Sequence, residues 1–249
     1  MNCLLIPLYI YPAPGAWKPL EDAIATHPNI TFTIIINPGN GPGPSPLPDA
    51  NYTREIPRLT RYANARVLGY VATTYARRDI SLVRREIATY AAWPTTSSIP
   101  GLAVQGIFFD ETPQQFSADA VMYLAELGGV VRTTWKSGYV CMIIHNPGAI
   151  PDSRYLSMAD CTIVFEATYD TFLERHAAGL FAAIARDPRA QLGVLVHSVP
   201  DTVQGAQLHD LVAQVCRVAD QVFITHLAVD YYAGFGGHWE EVLSGTAFD

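Results

Sequence analysis

The residues best suited to chemistry in this sequence are the carboxylates of Asp110, Glu111 and Glu166. Asp110 and Glu111 end an apolar run, and Pro113 stops that run two residues later. Glu166 is the only charged residue in the stretch 161–169. A carboxylate buried in such surroundings costs free energy unless it is paired or reaches solvent in a cleft. Two facing carboxylates without a metal or nucleotide motif are the equipment of glycoside hydrolysis.

Each carboxylate also has a purely structural interpretation. Asp110 could cap a following helix while Glu111 is solvated, and Glu166 could be held by a neighbouring arginine. The chemical interpretation requires that the two segments meet at one site, which depends on the elements that carry them.

Eight apolar, strand-like segments alternate with helical segments at a spacing of roughly 30 residues, which is the rhythm of βαβ units. The predicted strands cover residues 3–11, 30–37, 66–73, 105–113, 139–146, 161–167, 192–199 and 221–227. The predicted helices cover residues 17–27, 53–64, 80–93, 117–135, 171–185 and 203–219, and a last helix begins near His238.

Eight such units without a linker predict an α/β fold, a TIM-like (β/α)8 barrel formed as one domain by residues 1–249. The segment between the fifth and sixth strands is too short for a full helix, so one βα unit is predicted to be degenerate. A doubly wound open sheet is the alternative architecture.

Polar and aromatic residues gather at the carboxyl ends of these strands, where α/β barrels bind their ligands. Asp110, Glu111 and Glu166 lie there, two strands apart, and are predicted to face each other across the barrel mouth. The predicted substrate-binding residues are Tyr9, Tyr11, Asn37, Tyr70, His145, Asn146, His197, His226 and Asp230.

Composition excludes several partners. The 249 residues include 16 basic and 23 acidic side chains, a net charge of −7, which disfavours nucleic acid. No apolar run approaches the ~18 residues of a membrane span. The N-terminus lacks the basic region of a signal peptide, and Pro7 interrupts its apolar stretch. The chain is predicted to be a monomer.

Motifs for cofactors and other mechanisms are weak or absent. The glycine-rich segment 39–43 contains a proline and lacks a following helix start, and the four cysteines form no CxxC pair. We therefore predict no cofactor and no metal site. His145, His197 and His226 form a less favoured metal trio. An aldolase-type mechanism is disfavoured because the only lysines, Lys18 and Lys136, lie away from the strand ends.

Six segments together resemble the spherulin-4 family, and the resemblance extends from Leu5 to about Tyr232. The segments are residues 8–12, Asn37 with Pro38, 69–71, 108–111, 146–148 and Phe165 with Glu166. The resemblance implies a (β/α)8 barrel and, from the fungal glycoside hydrolases of this family that act on galactosaminogalactan, endo-hydrolysis of α-1,4-linked N-acetylgalactosamine. It also implies that the acidic trio falls on Asp110, Glu111 and Glu166, and that the location is secreted or cell-surface.

The carboxylates then take hypothetical roles in a polysaccharide hydrolase. Asp110 is assigned as the nucleophile, Glu166 as the acid/base, and Glu111 as a neighbour that tunes a pKa by like-charge repulsion. The sequence leaves the order of these roles open. The alternative function is a catalytically inactive carbohydrate-binding or developmental, spherulation-type barrel protein.

Overall fold

The computed structural model describes residues 3–135 and 141–246, and its centre is a closed parallel barrel. The strands follow one another around the barrel in chain order, β1 to β8, and β8 pairs with β1. They are β1 Cys3–Leu8, β2 Thr31–Ile36, β3 Ala65–Ala72, β4 Gly106–Asp110, β5 Met142–His145, β6 Cys161–Thr168, β7 Leu192–His197 and β8 Gln221–Ile224. The predicted (β/α)8 barrel is confirmed, and closure excludes the open-sheet alternative.

The helices follow the strands as in a TIM barrel. They are α1 Lys18–Thr26, α2 Ala50–Thr60, α3 Ile80–Thr96, α4 Ala118–Thr134, α5 Ser153–Leu156, α6 Tyr169–Ala177, α7 Ala206–Val218 and α8 Trp239–Thr246. Helix α5 has only four residues. This confirms that the unit between the fifth and sixth strands is degenerate.

Most predicted boundaries differ from the structure by a few residues, and two differences concern the elements near the site or the course of a helix. The predicted fifth strand, 139–146, begins outside the described residues and is observed only as Met142–His145, so Asn146 follows the strand. The predicted helix 171–185 divides into α6 and a 3₁₀ turn, Leu180–Ile184. Gly179, at φ 70°, breaks the α-helical geometry between them.

Side chains that point outward from the strands pack against the helices and make one large core. Strands β2 to β5 are almost entirely buried, as parallel strands covered on both faces must be. Gly106 begins β4 with φ +151°, and a Cβ atom there would lie 1.9 Å from the carbonyl oxygen of Met142. Only glycine lets β4 and β5 approach at this point, which fixes the position of Asp110 four residues later.

A second, smaller hydrophobic cluster lies apart from the main core. Ala120, Leu124 and Tyr155 are buried in it, and Ala76 of the β3–α3 loop packs against them. Satellite clusters of this kind support loops that carry little core of their own.

Across residues 3–135 and 141–246, none of the helices is long and apolar enough to cross a bilayer.

Candidate active site

Three successive strands deliver Asp110, Asn146 and Glu166 to the mouth of the barrel. Asp110 is the last residue of β4, Asn146 follows β5, and Glu166 lies near the end of β6. The ring of Phe108, two residues before Asp110, stacks against Tyr70 of β3 with centroids 6.3 Å apart. Because strand side chains alternate, Phe108 and Asp110 share the face that carries Tyr70.

The amide of Asn146 bridges the two carboxylates. Its Nδ2 donates to Oδ1 of Asp110 at 2.9 Å and to Oε2 of Glu166 at 2.6 Å, while its Oδ1 accepts from the backbone N–H of Gly148. The two carboxylate oxygens are therefore no farther apart than those two hydrogen-bond lengths taken together. This upper bound, between one oxygen of each carboxylate, is compatible with the ~5–5.5 Å carboxyl separation of retaining glycosidases.

Tyrosine hydroxyls donate to the remaining carboxylate oxygens. Tyr70 Oη lies 2.9 Å from Oδ2 of Asp110, and Tyr232 Oη lies 2.6 Å from Oε1 of Glu166. The ring of Tyr9 packs edge-on between these two tyrosines, with centroids at 5.8 and 5.4 Å. Burial, followed by the nearby carboxylate charges, raises the pKa of all three phenols, so they stay protonated donors.

The surroundings of Asp110 shift the pKa of its carboxyl in opposite directions. Burial raises the pKa of its carboxyl, and the charge of Glu166 adds to the increase. The backbone N–H of Glu111 and the side chains of Tyr70 and Asn146 donate to its oxygens and act in the opposite direction. A carboxyl with a perturbed pKa, a specific charged neighbour and a cleft position is typical of a functional site.

Glu111 directly follows the last residue of β4 and differs from Asp110 in its backbone and its contacts. Among the main causes of the raised Asp110 pKa, the like charge belongs to Glu166, whereas the charge of Glu111 contributes to the raised pKa of Tyr70. Glu111 has φ 53°, and its backbone binds the β3–α3 loop through Thr73 and Tyr75. With this positive φ, the Glu111 side chain does not continue the alternating directions of the β4 side chains. Its carboxylate makes no hydrogen bond among the described residues.

His145 is a correction to the predicted substrate contacts, because it does not face the mouth. It precedes Asn146, which does, and consecutive strand residues point to opposite faces. Its ring is 2% exposed, packs against Phe109 at 5.8 Å, and has no hydrogen-bond partner among the described residues on either nitrogen. Burial lowers its pKa to about 4. His145 is a core residue of the sheet–helix interface and cannot contact a substrate in the mouth.

His197 lies close enough to the carboxylates for Glu166 to affect its titration. Burial lowers the pKa of its ring, and the charge of Glu166 partly offsets that shift. The ring stacks on Tyr231 with centroids 4.0 Å apart and planes 2° from parallel, and Nδ1 lies 2.8 Å from Oγ of Ser198. Nε2 makes no hydrogen bond among the described residues, so this edge of the ring is available to a ligand.

Four other predicted substrate-binding residues are occupied elsewhere or lie at the rim. The hydroxyl of Tyr11 donates to Asp49 and accepts from Asn51, and Oδ1 of Asn37 accepts from the N–H of Gly41 inside the glycine-rich loop.

His226 and Asp230 complete this group. Nε2 of His226 lies 3.0 Å from the carbonyl oxygen of Val203, and its ring packs against His238. Asp230 is exposed, with φ 47°. None of the four side chains contacts Asp110 or Glu166, because the loop of each one directs it to a local partner or to solvent.

From the sequence, Tyr232 is expected only to close the cleft, with Asp230 and Tyr231, and the contact of its hydroxyl with Glu166 is not predicted. Tyr232 lies eight residues beyond the end of β8, in a segment without a periodic pattern. The pair of tyrosines at 231 and 232 after the last strand is the available signal, and it does not show which of them points inward.

The three histidines that could have formed a metal trio are separated. His145 faces the helix layer, His197 packs on Tyr231, and His226 packs on His238. Among the residues that the structure describes, no group of three His, Cys, Asp or Glu side chains is placed to hold a metal ion.

The fold and the site together define a class: a (β/α)8 barrel with an amide-bridged carboxylate pair at the C-terminal mouth. The model of spherulation-specific family 4 matches residues 3–245. The chain belongs to this family, as the sequence resemblance indicated.

Three known proteins resemble the chain to different degrees. Spherulin-4 of Physarum polycephalum is 39% identical over 163 residues, which are 66% of this chain and 44% of that protein. The crystal structure of Aspergillus clavatus Sph3 in complex with GalNAc is 62% identical, with a TM-score of 0.96 over 99% of this chain and 97% of that one. Tamarind chitinase-like lectin shares only the fold: 12% identity and a TM-score of 0.60 over 98% and 99% of the two chains.

Proposed function

We propose that this protein is a retaining glycoside hydrolase that cleaves α-1,4-linked N-acetylgalactosamine within a galactosaminogalactan-type polysaccharide. The observation that carries the proposal is the pair formed by Asp110 and Glu166, held on one amide nitrogen at a spacing suited to double displacement. The 62% identical structure with bound GalNAc supports the sugar. The resemblance to the fungal glycoside hydrolases of the family implies the polymer.

The proposed mechanism has two steps. Asp110 attacks the anomeric carbon, the glycosidic C–O bond breaks, and Glu166 gives its proton to the departing sugar oxygen. Water, deprotonated by Glu166, then displaces Asp110 and restores both carboxyls. The 2-acetamido group cannot replace Asp110, because in an α-linked substrate it does not lie opposite the leaving group.

One observation favours the reverse assignment. The pKa of Asp110 is raised, and the acid of such a pair is ordinarily the group with the higher pKa. We keep Asp110 as the nucleophile because three donors hold its oxygens as acceptors, and two of them, the Glu111 N–H and the Asn146 amide, can only donate.

Azide distinguishes the two orders of roles. If Asp110 is the nucleophile, azide added to Asp110→Ala gives a glycosyl azide of inverted, β configuration, and azide added to Glu166→Ala gives one of retained, α configuration. NMR of the two glycosyl azides measures their anomeric configuration directly. The opposite pair of products would exchange the two roles.

The function itself is tested by product release from purified galactosaminogalactan, followed by mass spectrometry. Glu166→Gln keeps the shape of the side chain but removes the titratable group, and we expect turnover to fall on the order of 10²–10⁴-fold. Glu174→Gln, the same substitution on the exposed side of α6, is the matched control and keeps full activity. Equal turnover by Glu166→Gln and the wild type would remove Glu166 from the mechanism.

The inactive-barrel alternative has a distinct outcome in the same assay. A lectin shares the fold, so the barrel alone does not imply catalysis. Wild-type protein that is retarded by the polymer in affinity electrophoresis but releases no oligosaccharide would be a binding protein. That result would reject the hydrolase proposal.

A further inference from the structure

The exposed aromatic residues have an uneven distribution over the surface. Among the described residues, three aromatic side chains are exposed, Tyr11 at 53%, Tyr75 at 50% and Phe116 at 46%. All three lie on loops that follow barrel strands, at the face that carries the carboxylates. The other large exposed hydrophobic side chains, such as Leu82 and Met122, are aliphatic. Exposed aromatic groups beside a cleft are typical of ligand contact.

The loop that carries Tyr75 is built in an unusual backbone conformation. Thr74, Tyr75 and Ala76 have φ values of 49°, 56° and 61°, a left-handed run that residues other than glycine rarely adopt. The loop is bound to the end of β4: the N–H of Tyr75 donates to the carbonyl oxygen of Glu111 at 2.6 Å, and Thr73 Oγ1 donates to the same oxygen at 2.8 Å. The conformation is therefore imposed by the segment that carries Asp110.

Phe116, on the β4–α4 loop, is also held in place. The guanidinium of Arg154 lies 3.3 Å from the centre of its ring, and two hydrogen bonds, at 2.6 and 2.7 Å, fix Arg154 on Asp152. One face of the Phe116 ring is covered by this cation, and the exposed part of the ring is oriented by it.

The satellite hydrophobic cluster supports both loops at once. Ala76, adjacent to Tyr75, packs against the cluster that contains Tyr155. The Tyr155 hydroxyl donates to the carbonyl oxygen of Gln115 and accepts from the N–H of Ser117, the two neighbours of Phe116. Tyr75 and Phe116 are thus presented on one rigid support next to the end of β4. A support of this kind is suited to binding rather than to an opening motion.

We infer that Tyr75 and Phe116 form a sugar-binding platform for a unit of the polysaccharide that lies beyond the bond cleaved at Asp110 and Glu166. A pyranose ring has faces of C–H groups, which pack on aromatic rings through dispersion and burial of apolar surface. The platform gives the enzyme affinity for long chains over short ones. This inference rests on the proposed function, since it takes the same polymer as its ligand.

The test compares Tyr75→Ala, Phe116→Ala and the double variant on the α-1,4-linked N-acetylgalactosamine polymer and on its trisaccharide. We expect KM for the polymer to rise about three- to tenfold for each single variant, as expected from the loss of one aromatic contact, with kcat unchanged. Turnover of the trisaccharide stays at the wild-type level. Tyr75→Phe keeps the ring and keeps the wild-type KM.

Met122→Ala is the matched control, because it removes an exposed side chain, 63% accessible, that belongs to α4 and not to the two loops that carry Tyr75 and Phe116. If Tyr75→Ala, Phe116→Ala and Met122→Ala have the same KM for the polymer, the inference of a sugar-binding platform is wrong. An equal loss on trisaccharide and polymer also overturns it, because the effect then belongs to the cleavage site.

A binding measurement separates this inference from the proposed function. If the wild-type protein cleaves neither substrate, the hydrolase proposal fails. Affinity electrophoresis through a gel that contains the polymer then tests whether Tyr75 and Phe116 bind it. Retardation weakened by Tyr75→Ala but unchanged by Met122→Ala supports a carbohydrate platform on a binding protein. Equal retardation of both variants rejects it.

Discussion

At the scale of single residues, the two carboxylates are joined by the side-chain amide of Asn146. All polar atoms of the Asn146 side chain bind protein groups, namely Asp110, Glu166 and the N–H of Gly148. Two carboxylates this close repel each other, and one amide that donates to both offsets part of that repulsion. The sequence predicted that Asn146 is a substrate contact; since its hydrogen bonds join Asp110, Glu166 and Gly148, we propose that it also acts as a positioning residue.

The Tyr232 hydroxyl is a positioning group that a conservative substitution can test. Tyr232→Phe removes the donor at 2.6 Å from Oε1 of Glu166 and leaves the ring, so we expect kcat to fall about tenfold with little change in stability. Tyr231→Phe is the control, because the Tyr231 hydroxyl makes no hydrogen bond among the described residues. Steady-state kinetics on the polymer measure both variants. Equal kcat values for the two would show that Glu166 does not need this donor.

His145 predicts how stability depends on pH. Its folded-state pKa of about 4 lies below the ordinary value of 6.5. Between these two pH values, His145 is therefore protonated in the unfolded chain but neutral in the folded protein. Stability contributed by this group is complete above pH 6.5 and is lost as the pH falls toward 4, by about 3 kcal/mol in all.

Urea unfolding of wild type and His145→Phe between pH 7 and 4 measures this contribution. The variant keeps an aromatic ring against Phe109 and removes the titration, so its stability falls less steeply with acid. Parallel curves for the two proteins would show that other groups cause the acid sensitivity.

At the scale of elements, the sequence indicates which end of each strand carries polar residues but not which of two neighbours faces the mouth. The strand period of two puts His145 and Asn146 on opposite faces, and a shift of one residue exchanges them. The strands were predictable because buried parallel strands are continuous apolar runs. The position of Tyr232 was not, because an irregular loop is set by tertiary contacts and not by a local pattern.

The contact between β4 and β5 depends on Gly106. Gly106→Ala places a Cβ atom against the Met142 carbonyl oxygen in a backbone conformation that alanine disfavours, so we expect stability to fall by about 3 kcal/mol, with loss of activity. Gly129→Ala is the matched control, because this exposed helical glycine has open space around its Cβ position. It should gain about 1 kcal/mol. Thermal unfolding compares them, and equal melting temperatures would mean that β4 and β5 can separate without penalty.

At the scale of the whole molecule, the barrel brings together residues that are distant in sequence. Tyr9, Asp110 and Tyr232 come from the first, fourth and last βα units and meet at one mouth, because a closed barrel gathers all eight strand ends. This convergence is what a glycoside hydrolase requires, since two carboxylates must act on one anomeric centre.

The most direct test of the account is real-time NMR of wild-type protein acting on α-1,4-linked N-acetylgalactosamine polymer. A retaining enzyme releases oligosaccharides whose new reducing ends are first α and convert to the β anomer only later, by mutarotation. We predict α signals from the first spectrum, and none with Glu166→Gln. Reducing ends that are β from the start would contradict the carboxylate pair as a double-displacement couple, and the absence of any product would contradict hydrolysis of this polymer.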